Sequence, residues 1–371
     1  MATNPANTQT HLAIATVGLK APLGCIRVPT VKPVGSQVRV HVEWTASTPL
    51  DLHQNDGGLL VQHPQVLGDG TAGTVVEVGS DVKRLSVGDK VFGFTWRNQT
   101  EKAHQTFCTT DEWLLAKLPE GTTLSQAVTL PNNFVTVFHA LSADLNIETP
   151  WPKPENYVSK NAEDPILIWG GSSSVGQFAI EILRYYGHKN LLVTASQKNH
   201  EQILALGARQ VFDYRDSNVF SKISESGDSN GIPLILDCIG SKKGSIAPIA
   251  KIANAGSKVA ILLPVIVQDS TETEDPEYEM DVKAAGEWKE GVEARGVRTH
   301  FYLDNEFFKY HLQPDIMPAM LKAGIVTPQK QRIVEGATLL ERAQKAMDML
   351  RRKEASMERL VWRVNEENEN N

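Results

Sequence analysis

Residues 166–183, reading Ile-Leu-Ile-Trp-Gly-Gly-Ser-Ser-Ser-Val-Gly-Gln-Phe-Ala-Ile-Glu-Ile-Leu, constrain the fold more than any other stretch. Four apolar residues run unbroken from Ile166 to Trp169, a Gly/Ser loop follows, and apolar residues then recur at Val175, Ala179, Ile182 and Leu183 with helical spacing. The pattern predicts a buried strand, a tight turn and a helix. Such a turn aims the unpaired N–H groups and positive dipole end of the helix at whatever lies in front, which suits a pyrophosphate. Against G-x-G-x-x-G, Gly171 and Gly176 fill the outer positions and Ser173 the middle one, with Ser172, Ser174 and Val175 completing the loop. Taken alone, a Gly/Ser loop after a strand is equally a plain turn.

The next apolar run, 191–195, ends about 20 residues beyond the loop, where a dinucleotide-binding fold places the residue that meets the adenosine ribose. An acidic side chain there holds the 2′-hydroxyl and repels a 2′-phosphate. This chain has Ser196, Gln197, Lys198 and Asn199. A hydroxyl and an ammonium favour the phosphate, so the expected cofactor is NADPH, contacted by Ser196, Lys198 and Asn199. The other reading of Lys198 is an ordinary surface lysine. Tyr214, just after Val211-Phe212, either covers the phosphate or adenine or packs.

With 371 residues the chain is long enough for two domains, and 41% apolar and 22% charged residues are ordinary globular values. A net charge of −7 argues against a nucleic-acid binder. Cys25, Cys108 and Cys238 are too far apart for a C-x-x-C site and suit a reducing cytosol. No 18 apolar residues run together, so no membrane span is expected and the location is read as cytoplasmic. Residues 1–10 read as a disordered leader and 365–371 as a frayed tail. Short strands cut by Gly and Pro, at 12–17, 38–42, 72–78 and 90–94, predict a small, partly closed antiparallel barrel.

Within that region stand Leu67-Gly68-Asp69-Gly70-Thr71-Ala72-Gly73-Thr74-Val75-Val76-Glu77-Val78-Gly79 and Val87-Gly88-Asp89-Lys90-Val91. Together with the Gly/Ser turn, Thr48-Pro49-Leu50-Asp51, Leu130-Pro131, Ala205-Leu206-Gly207-Ala208 and Asp237-Cys238-Ile239-Gly240, they resemble the medium-chain dehydrogenase/reductase superfamily across nearly the whole chain. The resemblance implies an α/β fold: a GroES-like, partly closed β-barrel catalytic domain over 1–133 and 306–371, and a Rossmann, doubly wound parallel-sheet NADP-binding domain over 134–305. The alcohol dehydrogenases of that superfamily hold zinc with Cys, His followed by Glu, and Cys. Here the first position is Thr48, the His-Glu pair reads Asp69-Gly70, and Asn132 or Asn133 stands near the third. Zinc needs softer ligands converging tetrahedrally, so no metal is expected.

The closest pattern is the zinc-free fungal enoyl reductase and quinone oxidoreductase-like branch, including trans-acting enoyl reductases of polyketide pathways. The stretches 167–176, Thr194-Ala195-Ser196 and Phe212-Asp213-Tyr214-Arg215-Asp216 carry that likeness. The branch sets an Asn-Pro-x-Asp-x-Lys stretch beside the nicotinamide; its counterpart here is Thr48-Pro49-Leu50-Asp51-Leu52-His53, with Thr for Asn and His for Lys. The resemblance thereby implies a cofactor contact for Asp51. His53 is apt as an imidazolium that stabilises an enolate and donates the α-proton, or is a surface histidine in a polar loop. Thr136, expected to open a helix over 136–141, either orients the carboxamide or the substrate, or serves only as a helix N-terminal threonine. Leu262 and Leu263, ending a strand, flank the nicotinamide through backbone groups, or are core. Ser356 and Arg359 lie where related enzymes return a C-terminal residue to the cofactor. The acidic segment 268–278 borders the substrate pocket or is a solvated loop.

The function expected is NADPH-dependent reduction of a conjugated double bond without zinc, on a small or acyl-carrier-bound enoyl substrate, with a polyketide synthase as possible partner. The alternatives are an NADPH quinone oxidoreductase and, from another class, a non-catalytic NADP-binding sensor or scaffold.

Overall fold

The computed structural model describes residues 9–227 and 231–365. Most of the expected leader and tail lies outside them, although Thr10 already opens a strand paired with Pro29.

A six-stranded parallel sheet runs in the order Gln210–Phe212, Leu191–Thr194, Ile166–Trp169, Leu234–Asp237, Lys258–Leu262, Glu293–Val297. This is a doubly wound order, reversing between Ile166–Trp169 and Leu234–Asp237, where ligands bind beyond the carboxyl ends of the strands. Both faces are covered, which is why the strands read as continuous apolar runs. Ile166 and Ile168 pack with Phe178 and Ile182 on one face, whereas Leu167 and Trp169 pack with Ile246 and Ile249 on the other. Each such side chain contributes roughly 1.5–3 kcal/mol by burial.

A second, seven-stranded sheet forms the partly closed barrel. Gln37–Ala46 pairs along one edge with Gly70–Val78 and along the other with Phe107–Asp111 and Glu358–Arg363. Register shifts at Arg39/Val40 and Val42/Trp44 bend the first ladder. The strand near the C-terminus thus returns to the N-terminal sheet, and Trp362 is wholly buried there.

One apolar cluster spans both sheets, joining Phe92 and Phe94 through Phe134 and Phe138 to Ile168 and Phe178. Its bridge is the helix Pro131–His139, followed by a wide π-helical turn over Ala140–Asp144. The helix therefore begins five residues before Thr136, because Pro131 supplies a preset φ at the first helical position. Further along the chain, Glu306–His311 and Met317–Lys322 flank a π-helical turn containing Pro314, which has no N–H for the ladder. Segment 268–278 is not a free loop. Val265–Gln268 and Glu277–Glu279 pair as an antiparallel ribbon, and Ser270 is buried.

Candidate active site

At the phosphate end, the chain leaves Trp169 through Gly170, whose φ of +92° is open to glycine at no steric cost. Gly170 N–H donates to Thr194 Oγ1 at 3.0 Å and Gly171 N–H to Thr194 O at 2.9 Å, tying the turn to the neighbouring strand. The helix Ser174–Tyr185 follows, capped by Ser173, whose Oγ accepts from Gly176 N–H at 3.0 Å. Ser173 is thus a helix cap as well as the middle position of the loop. A Cβ on Gly176 would lie 2.8 Å from Gly171 Cα, so only glycine lets helix and turn approach this closely. Ser174 and Val175 sit in the first turn, where N–H groups lack helical acceptors. Ser172 Oγ accepts from Asn199 Nδ2 at 2.8 Å, and the same Nδ2 donates to Ser356 Oγ at 3.2 Å. Asn199, buried, thereby ties the glycine loop to the segment before the closing strand.

At the ribose end, Ser196 is half-buried, while Lys198 and Tyr214 are exposed. Arg215, to which the sequence reading assigned no role, lies with its guanidinium carbon 5.1 Å from the Tyr214 ring centre. Asp213 accepts from the N–H groups of Arg215 and Gln197, and the Arg215 amide holds its carboxyl below the usual range. Leu262 ends its strand and Leu263 enters a cis bond to Pro264; both are half-buried.

At the head of the cleft, Thr48 caps the helix Pro49–Gly57. Asp51 accepts from Thr48 N–H at 2.8 Å and from Gly68 N–H at 3.1 Å, and is only 2% exposed. Both its oxygens hold backbone, so Asp51 ties the start of this helix to the loop at Gly68. Asp69 accepts from Asn132 Nδ2, and Thr136 Oγ1 donates to Asn132 O at 2.8 Å while meeting Thr299 Oγ1 at 2.9 Å. Thr136 is thus in mid-helix, linked to the end of the nucleotide sheet. His53 Nδ1 meets Tyr278 Oη at 2.9 Å.

Burial dominates the electrostatics here. It lifts the Asp69 carboxyl to about 6, with the Asp51 charge adding to the rise. Lys102 and Arg359, both buried, have their pKa values lowered by burial and oppose the two carboxylates. His104 falls to about 3 and is neutral, so its 4.0 Å approach to Asp51 is no ion pair. His53 falls to about 4 because burial outweighs Asp269 and Asp56. Burial thus favours the neutral imidazole at His53 in the resting protein.

The three positions that would hold zinc carry a threonine hydroxyl, a carboxylate and an amide that donates to that carboxylate. The Thr48 hydroxyl is buried with no partner among the described residues. This donor set suits a polar organic group better than zinc. Thr299 and Tyr278 escaped the sequence reading because nothing local marks a partner more than 160 positions away.

The alcohol dehydrogenase GroES-like domain matches residues 35–140. The chain is 34% identical to the trans-enoyl reductase himH of Aspergillus japonicus over 55% of this chain and 59% of that protein, so the match spans well under two thirds of that relative. It is 32% identical to the trans-enoyl reductase tazE of Aspergillus terreus, over 57% of this chain and 71% of the relative. The enoyl reductase component lovC of lovastatin nonaketide synthase, also from Aspergillus terreus, is 27% identical over 88% of this chain and 89% of its own. A solved mycobacterial structure complexed with NADPH shares the fold, with a TM-score of 0.67 at 20% identity over 96% of this chain and all of that one. The chain belongs to the medium-chain dehydrogenase/reductase superfamily, among its enoyl reductase-like oxidoreductases.

Proposed function

We propose that this protein is an NADPH-dependent enoyl reductase that saturates an α,β-unsaturated thioester without zinc and acts in trans on chains carried by a polyketide synthase, in the cytoplasm. The division we propose is a catalytic domain over 1–133 and 306–371 and a nucleotide domain over 134–305. The observation that carries the reading is the donor set at the zinc-ligand positions, where Asp69 accepts from Asn132 and the Thr48 hydroxyl is buried with no partner among the described residues. Without a Lewis acid, the fitting acceptor is a double bond already activated by conjugation. NADPH, held by its pyrophosphate on the glycine loop, would supply the hydride for that bond.

The chain's own residues then divide the remaining work. The loop 171–176 and its helix end hold the pyrophosphate, Ser196 and Lys198 hold the 2′-phosphate, and Tyr214 covers it, with Asn199 steadying the loop. Leu262 and Leu263 border the nicotinamide. The Thr136 hydroxyl orients the substrate carbonyl or the carboxamide, and His53 takes part in delivering the α-proton. The names of himH, tazE and lovC support the reaction and the synthase partner, and the NADPH-bound neighbour supports the cofactor. No helix among the described residues is long and apolar enough to cross a membrane.

The test is NADPH oxidation with crotonyl and longer enoyl thioesters against naphthoquinones, after chelation and with zinc measured. Fast turnover of thioesters in zinc-free protein is expected. Turnover of quinones alone, or activity that tracks added zinc, would overturn the reading.

A further inference from the structure

The ribbon Val265–Gln268 and Glu277–Glu279 leaves the nucleotide sheet and reaches the helix Pro49–Gly57 that carries His53. Polar contacts hold the segment there. Ser270 Oγ donates to Asp56 Oδ2 at 2.5 Å, and Asp56 also accepts two bonds from Arg351 at 2.8 Å. Lys20 Nζ donates to Glu274 O at 2.7 Å and Asp275 Oδ1 at 3.0 Å, and Lys353 pairs with Asp269 at 2.6 Å. The result is one aromatic side chain from this ribbon set edge-on against the imidazole, with ring centres 5.0 Å apart and planes at 79°. Gly57 makes room for it, since a Cβ there would overlap Tyr278 Cε2.

A neutral imidazole that gives away its one N–H proton is left as an anion unless its other nitrogen gains a proton at the same time. At Nδ1 of His53 such a proton is available, on a phenol 2.9 Å away. Nε2 meets no hydrogen-bond partner among the described residues. Burial favours the uncharged form of both groups, pushing His53 down to about 4 and Tyr278 up. The charged groups facing the pair are Asp56 and Asp269, held by Arg351 and Lys353.

We propose that Tyr278 is a positioning residue for the proton half of the reaction, acting through His53. Its hydroxyl donates to Nδ1, fixes the tautomer with the proton on Nε2, and gives up its own proton as Nε2–H is transferred. The inference rests on the enoyl reductase reading. Hydride addition at the β-carbon breaks the C=C π bond and leaves its electron pair in an enolate. The α-carbon takes the Nε2 proton, the N–H electrons stay on the ring, Nδ1 takes the phenol proton, and water reprotonates the phenolate. The hydroxide left behind is neutralised by bulk buffer.

Tyr278→Phe keeps the ring and removes only the hydroxyl. In the full chain, kcat for an enoyl thioester is expected to fall about 10²-fold near pH 8 with KM for NADPH unchanged. As pH is lowered toward 5.5 the variant should recover roughly tenfold per unit, because imidazolium replaces the lost donor, while the parent stays flat. Gly57→Ala, which displaces the ring and leaves both groups in the chain, should show the same acid-side recovery. An unchanged kcat, or a loss equal at every pH, overturns the proposal. Nitrogen-15 shifts of His53 in the NADP⁺ complex form a second readout that needs no substrate. A proton on Nε2 in the parent that redistributes in Tyr278→Phe supports the role, and a parent protonated on Nδ1 overturns it. A parent inactive toward every enoyl thioester would sink the function, while those shifts alone would uphold or overturn the role of Tyr278.

Discussion

The two ends of the cleft are built in opposite ways. The phosphate end lies almost wholly within residues 166–176, and its main bonds join atoms close in sequence or one strand away. The head is assembled from afar: Asp69 with Asn132, Thr136 with Thr299, His53 with Tyr278, the last pair 225 positions apart. A local motif answers to backbone geometry, so a change there is felt as a steric clash. A dispersed site answers to side-chain chemistry, so a change there alters rate more than fold.

The sharpest way to break this contrast is Gly176→Val, whose side chain would meet the backbone of Gly170 and Gly171. Overpacking there is expected to cost ~3 kcal/mol in urea denaturation and to weaken NADPH binding at least about 100-fold by dialysis. Unchanged binding would remove the phosphate loop from the account.

Glu181 lies on the back of the same helix and accepts from Thr327 Oγ1 at 2.6 Å. Burial raises its carboxyl to about 7 from an ordinary 4.5, against the Thr327 bonds. The folded state therefore keeps a proton that the unfolded state has lost between those values, and stability falls as pH rises through that window. Denaturation of the parent at pH 5 and pH 8 should differ by about 2–3 kcal/mol from this group, and Glu181→Gln should flatten the difference without changing turnover.

Lys198→Ala should weaken NADPH binding about tenfold and leave NADH binding unchanged, measured by titration at low salt. Equal effects on both nucleotides would detach Lys198 from the 2′-phosphate. The smallest effect is expected at Thr136. Thr136→Val keeps the shape and should lower kcat roughly fivefold to tenfold, with the melting midpoint nearly unmoved. A large fall in that midpoint would make Thr136 a packing residue.

Much of the fold could be read in advance because each part obeys a local rule. The strand Ile166–Trp169 is apolar at every position since helices cover both faces, and Lys90–Phe94 keeps the bounds its Gly and Val pattern suggests. The helix starts at Pro131 and not at Thr136, because proline at a first helical position is the stronger start signal. The bond from Asp51 to Thr48 is a local helix cap, whereas its bond to Gly68 was not legible because it depends on how the helix packs on a separate loop. Segment 268–278 reads as a pocket border or a solvated loop, and most of its acidic residues are indeed exposed, while Asp275 and Asp269 pair with Lys20 and Lys353.

By itself the sequence determined the strand, turn and helix of the nucleotide loop, the barrel preceding it, and the lack of soft ligands at Thr48, Asp69 and Asn132, because period, glycine placement and ligand chemistry are properties of the chain. Only the tertiary structure decided that His53 is neutral, that Asp69 is hard to ionise, and that Tyr278 stands against the imidazole. Desolvation depends on what the rest of the protein stacks around a group, and hydrogen bonds between remote residues exist only once the sheets that carry them have docked.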